Sequence, residues 1–189
     1  AKPYVYQDVF TSIDESTGRP EYDMSKKPGT GFEASFCPSL WGGKDWPPVA
    51  FDPTSRLLFI PANDNVCSTM VGEEVQYNPG QAFMGRGQSE NGGFFIRPGT
   101  GHIGELQAWN VDTGQQAWKT TFKSHNWGPV LATAGNLVFM GGTNDRYFRA
   151  FNSKTGDLLW EQPTNSGVIG VPVSFAIDGK QHIAVQSGW

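Results

Sequence analysis

The chain has 189 residues, 24 of them Gly, 13 Pro and 7 Trp, and a formal net charge of −4. That length can bury a core in one domain or slightly more, and the charge lacks the basic footprint of a nucleic-acid binder. No run approaches eighteen apolar residues, so no stretch reads as a membrane span.

Glycine and proline at this density, with few helix-period stretches, favour short strands joined by many turns. Taken in chain order, residues Tyr4 to about Tyr22 supply two strands around the turn Asp14-Glu15-Ser16-Thr17-Gly18. Strands are expected next at Pro48–Phe51 and Arg56–Pro61. Residues 62–102 read as a loop rich in Gly, Asn, Pro and Gln, and a loop that long is either functional or disordered. Strands follow at Glu105–Asn110, Gln115–Phe122, Gly128–Thr133, Leu137–Gly141, Tyr147–Asn152 and Asp157–Gln162. The last two are expected at Ile169–Ala176 and His182–Ser187. The opening Ala1-Lys2-Pro3-Tyr4 carries no signal peptide and reads as the interior of a longer chain.

One short design is written twice. Ala108-Trp109-Asn110-Val111-Asp112-Thr113-Gly114 is followed four residues later by Trp118. Ala150-Phe151-Asn152-Ser153-Lys154-Thr155-Gly156 is followed at the same spacing by Trp160, 42 residues after Trp118. A degraded third copy is Asp14 to Gly18, with Tyr22 at the tryptophan position. The Asn or Asp can bond its own backbone two residues on and start a turn, Gly tolerates the positive φ that closes it, and the aromatic has a large ring to bury.

A period in the low forties suits a four-stranded propeller blade. The expected division is then 1–24 as a closing half-blade, 25–122 as a blade with the 62–102 insertion, 123–165 as a second blade and 166–189 as an opening half-blade. The fold class is all-β, about three blade-equivalents of a propeller. Propellers close with typically four to eight blades, so open sheet edges and tryptophan faces call for further blades packed against this piece. Trp109, Trp118, Trp160 and Tyr22 are assigned to packing. Two unrelated hairpins in a sandwich, or a self-contained small β domain, are the plainer alternatives.

The repeat resembles the tryptophan-docking motif of the pyrroloquinoline quinone (PQQ)-dependent alcohol dehydrogenases, eight-bladed periplasmic propellers. The likeness extends through Phe36-Cys37-Pro38-Ser39, Trp41-Gly42-Gly43-Lys44-Asp45-Trp46, Leu57-Leu58-Phe59-Ile60-Pro61-Ala62-Asn63, Asn126-Trp127-Gly128, Leu131 to Phe139, Thr155 to Trp160 and Gly167-Val168-Ile169-Gly170. The resemblance implies the C-terminal part of a periplasmic enzyme that oxidises alcohols or polyols by hydride transfer to PQQ. Electrons then pass to a cytochrome c, and a calcium or lanthanide ion sits against the quinone. It places the catalytic aspartate and the metal ligands in earlier blades, so this chain alone is expected to be inactive. The competing class is a non-catalytic propeller scaffold of the outer-membrane assembly type, which carries the repeat without the Cys37–Trp46 segment.

Residue by residue, the resemblance implies a Cys37–Cys67 bridge, closing a loop of about thirty residues worth ~3 kcal/mol. Two buried free thiols are the alternative in a reducing compartment. Asp45 falls where the family contacts the quinone oxygens, and it departs from the Asn of methanol dehydrogenases. A carboxylate accepts but does not donate when ionised, and its plainer reading is a turn cap. Lys44 is the neighbouring cation, which strand alternation would point the other way. Trp127 matches a tryptophan at the edge of the quinone plane, where an indole N–H can donate, or else it is one more packing tryptophan. Trp189 aligns with a region lining the substrate cavity. His102, His125 and His182 show no metal-ligand spacing.

Overall fold

The computed structural model describes residues 2–89 and 92–188. Trp189 lies outside the described residues. Fifteen strands and one 3-10 turn (Met24–Lys26) form among them. The strands are β1 (Phe10–Ile13), β2 (Pro20–Tyr22), β3 (Glu33–Phe36), β4 (Ala50–Asp52), β5 (Leu57–Asn63), β6 (Val66–Val71) and β7 (Gly93–Ile96). They continue as β8 (Gly104–Asn110), β9 (Gln115–Phe122), β10 (Val130–Thr133), β11 (Leu137–Met140), β12 (Tyr147–Asn152), β13 (Leu158–Pro163), β14 (Val173–Ile177) and β15 (Lys180–Ala184). Two compact units divide the chain: Ala1–Lys2, Lys44–Asp64 and Gly101–Trp189 in one, Pro3–Gly43 and Asn65–Thr100 in the other.

The first unit holds two four-stranded antiparallel sheets, β4-β5-β8-β9 and β10-β11-β12-β13, and the hairpin β14–β15. Leu57, Phe59, Leu106 and Ala108 from one sheet meet Val130, Val138, Met140 and Phe151 from the other in a single buried cluster. These residues alternate along their strands, as period-2 packing requires. The two copies of the repeat fold alike. Asn110 Oδ1 accepts from the amides of Asp112 and Thr113, and Asn152 Oδ1 from those of Lys154 and Thr155. Each turn is closed by a glycine at positive φ, Gly114 at 65° and Gly156 at 78°. A bulge follows in both, leaving Ala108 opposite Trp118 and Ala150 opposite Trp160. A small residue facing each indole leaves the ring free to lie across the sheet.

The second unit contains the hairpin β1–β2 and the three-stranded sheet β3-β6-β7. The third copy is recognisable there: Asp14 Oδ1 accepts from the amides of Ser16 and Thr17, and Gly18 sits at φ 69°. Phe10, not alanine, stands opposite Tyr22, with ring centroids 5.2 Å apart. Cys37 and Cys67 are disulfide-bonded, with Cα atoms 4.4 Å apart. The bridge sits where β3 pairs with β6, since Phe36 is in register with Ser68.

Two sequence expectations need correction. Residues 62–102 are not all loop: β5 runs on to Asn63, and the stretch contains β6 and β7. The partner of β6 is β3, some thirty residues earlier, in a segment that local spacing left without a strand. Long-range pairing of this kind leaves no period in either segment. The final hairpin also shifts, to Val173–Ile177 and Lys180–Ala184. Asp178 and Gly179 both take positive φ, 50° and 75°, so an Asp-Gly turn sets the register. That dipeptide was the available signal.

Candidate functional site

Trp127 lies in the connection from β9 to β10, gripped from both sides. Its amide donates to Gly142 O at 3.0 Å. The preceding residue, Asn126, is fully buried, and Asn63 at the end of β5 is 3% exposed. Asn63 bonds both backbone groups of Asn126: its Oδ1 accepts from Asn126 N at 2.8 Å and its Nδ2 donates to Asn126 O at 3.2 Å. Asn126 in turn accepts from Gly128 N at 3.3 Å and donates to Glu105 O at 3.1 Å. The segments at Gly128 and Gly141–Gly142 are so close that a Cβ on Gly128 or Gly142 would overlap the facing backbone. The Trp127 ring is half-buried, and its centroid lies 5.8 Å from that of His125 at a 30° tilt. Burial holds the His125 imidazole below its ordinary pKa, which favours the neutral ring beside the indole.

Asp45 is exposed and Lys44 half-buried, in a bend that precedes β4. Neither is in a strand, so alternation does not separate them. Lys44 Nζ donates to Asp45 O at 2.8 Å, a bond to its neighbour's backbone. Val130 N donates to Pro48 O at 3.2 Å. Asp45 and Trp127 each stand three residues ahead of an end of that bond. Three residues reach at most ~11 Å, so each position lies within that distance of its own end of the bond.

The strand run Gly104–Ala108 buries a carboxylate that the sequence reading missed. Glu105 is 1% exposed. Its Oε1 meets Lys119 Nζ at 2.7 Å and His102 Nε2 at 2.6 Å, while Gln107 Nε2 donates to Oε2 at 2.5 Å. Asp64 completes a cluster whose ligand-type atoms lie within 4.8 Å of one another. His102 is therefore not isolated, as spacing suggested, because Asp64 reaches it from across the 62–102 segment. Glu105 and Gln107 fall on the polar phase of the alternation with Leu106 and Ala108, so the local pattern gave no sign of their burial. With the Lys119 ammonium on the same oxygen, the positive charge that a buried carboxylate requires is already supplied.

Trp118 and Trp160 differ in surroundings. Trp118 Nε1 donates to Ser153 O at 2.9 Å, and its ring lies against Gly156, where a Cβ would stand 2.6 Å from the indole. Trp160 remains 48% exposed and Tyr22 43%. A concavity of about 440 Å³ is lined by residues of Glu73 to Phe83 and by none of the residues singled out above. No described helix is long and apolar enough to cross a membrane.

A family model described as the PQQ glucose/ethanol/alcohol dehydrogenase β-propeller domain matches residues 14–183. The quinoprotein alcohol dehydrogenase PedH of Pseudomonas putida is 37% identical over 194 residues, covering 99% of this chain and 31% of that protein. The lanthanide-dependent methanol dehydrogenase of Methylacidiphilum fumariolicum is 33% identical, covering 100% of this chain and 30% of that protein. Among solved structures, a europium-containing methanol dehydrogenase superposes with a TM-score of 0.89 at 32% identity, covering 99% of this chain and 32% of the other. The chain thus spans about a third of the length of the relatives it matches.

Proposed function

Since the chain belongs to the PQQ glucose/ethanol/alcohol dehydrogenase β-propeller family, we propose that it is a segment of a periplasmic quinoprotein alcohol dehydrogenase. Asp45, Lys44 and Trp127 contribute to its quinone site. The observation that carries this reading is that the segments bearing Asp45 and Trp127 are joined, three residues beyond each, by the Val130–Pro48 hydrogen bond. Their chemistry suits PQQ: an indole N–H donor, an ammonium for a carboxylate and a carboxylate that accepts from a ring N–H. When bound, the quinone supplies the two-electron acceptor for oxidation of an alcohol or polyol, and a cytochrome c takes the electrons onward.

The chain's own residues bind and orient. Trp127 would bind the quinone from a backbone that cannot move without breaking buried hydrogen bonds. Asp45, just after a bend, would accept from the cofactor's N–H, and Lys44 would add a cation beside it. The catalytic base, the calcium or lanthanide ion and its ligands belong to the rest of the propeller, which also covers Trp160. The Asp64, His102 and Glu105 cluster does not fit that ion, because Lys119 occupies one of its two carboxylates, that of Glu105, and one donor is an imidazole. No step is assigned through it.

Titrating the full-length apo-protein with PQQ, followed by quinone absorbance, tests the reading. Trp127→Phe and Asp45→Ala are each expected to raise the Kd about tenfold, roughly one lost charge-assisted or indole hydrogen bond. Unchanged affinity in both variants would remove Asp45 and Trp127 from the site.

A further inference from the structure

We infer that Asn63 and Asn126 are positioning residues for Trp127, a buried pair of side-chain amides whose task is to fix the indole where the quinone meets it. The inference rests on the reading of Trp127 as a quinone contact and goes beyond it by naming what holds that contact.

A connection between two strands ordinarily satisfies its backbone with water and is free to move. The 126–128 stretch does neither. Four of its polar backbone groups are bonded inside the protein: Asn126 N and O by Asn63, Gly128 N by Asn126 Oδ1, and Trp127 N by Gly142 O. Three of those four bonds come from two asparagine side chains rather than from a strand partner. Asn63 acts as a one-residue strand, presenting an acceptor and a donor to the same peptide unit pair. Asn126 spends its remaining donor on Glu105 O and also reaches Met140 Sδ at 3.1 Å. Burying two amides side by side gains little stability that apolar residues could not match. Their value is geometric, because a site tolerates only about 0.5 Å of error in its contacting groups. The glycines at 128 and 142 serve the same end by letting the two backbones close on each other.

The test uses the full-length apo-protein with PQQ itself as the probe. Asn63→Ala is expected to raise the quinone Kd at least about tenfold, the size seen when supporting hydrogen bonds behind a site are removed. The core variant Phe151→Leu, which loosens the same unit without touching the amide pair, is expected to leave the Kd unchanged even at an equal loss of thermal midpoint. In a Trp127→Phe background Asn63→Ala is expected to add nothing further, because the amide acts through the indole. Equal weakening by Phe151→Leu and Asn63→Ala, or additive effects in the double variant, overturns the positioning role. If Trp127→Phe alone leaves affinity unchanged, the reading of Trp127 fails and takes this inference with it. If Trp127→Phe weakens binding and Asn63→Ala does not, only the positioning role is lost. Should Asn63→Ala not fold, hydrogen exchange of the wild-type protein decides: Asn126 and Gly128 amides are expected to be protected as well as those of β8 and β12. Exchange at the rate of exposed loops overturns the inference.

Discussion

Trp118 and Trp160 occupy the same place in two copies of one design, yet only Trp118 has found its seat. Locally they are indistinguishable: an Asn-started turn, a glycine at positive φ, a bulge, and an alanine opposite the indole. Trp118 then lies on Gly156 of the following copy and bonds Ser153 O, whereas Trp160 is about half exposed. The turn chemistry builds the strand pair by itself. Docking needs a second element, a glycine in the next copy with no side chain to block the ring, and among the described residues no such glycine follows Trp160.

This contrast can be broken most sharply at the rings themselves. In the 189-residue chain, Trp118→Ala is expected to cost about 3 kcal/mol, as for a largely buried aromatic, and Trp160→Ala about 1 kcal/mol or less. Urea unfolding measures both. In the full-length protein the two costs should converge, because the proposed neighbouring blade covers Trp160; a persistent gap there would count against the propeller reading.

The glycines offer a second lever of similar size. Gly156→Ala combines a strained φ of 78° with a Cβ placed 2.6 Å from the Trp118 ring, for about 3 kcal/mol in all. Gly18→Ala meets nothing within 4 Å, so only the backbone strain of about 1 kcal/mol remains. Equal midpoint shifts in the two variants would mean that the ring does not depend on the glycine.

The smallest effect separates the copies by pH. The third copy starts its turn with Asp14, whose pKa lies below the ordinary 3.8, chiefly through the Ser16 hydroxyl bond and then the Thr17 and Ser16 amides. A depressed carboxylate stabilises its turn above the ordinary value and loses that contribution as pH falls through the depressed one. Amides of residues 16–18 should therefore open to exchange, relative to their intrinsic rates, below about pH 4. The turns begun by Asn110 and Asn152 do not titrate and should hold.

Much of this was legible before any coordinates. Strands flanking the repeat were readable because a turn signal and an apolar alternation agree there, and two of them, Gln115–Phe122 and Tyr147–Asn152, coincide with β9 and β12. Legibility ended where partners are distant. The pairing of β3 with β6, the meeting of Asp64 with His102 and Glu105, and the grip of Asn63 on Asn126 each join residues thirty or more positions apart. Neither side of such a pair carries a pattern that names the other. The last hairpin differs for another reason: its register is set by the two-residue Asp178-Gly179 turn rather than by the ends of the apolar runs around it.

By itself, then, the sequence determined the class of fold, the turns of the repeat and the family to which its motifs belong. The turns depend on backbone preferences acting over fewer than ten residues, and the fold class and family on how such short motifs recur along the chain. Only the tertiary structure decided which indole is seated, which carboxylate is buried and how the loop bearing Trp127 is held. Those outcomes depend on side chains whose nearest neighbours in space are remote in the chain, and burial is a property of that neighbourhood rather than of the residue.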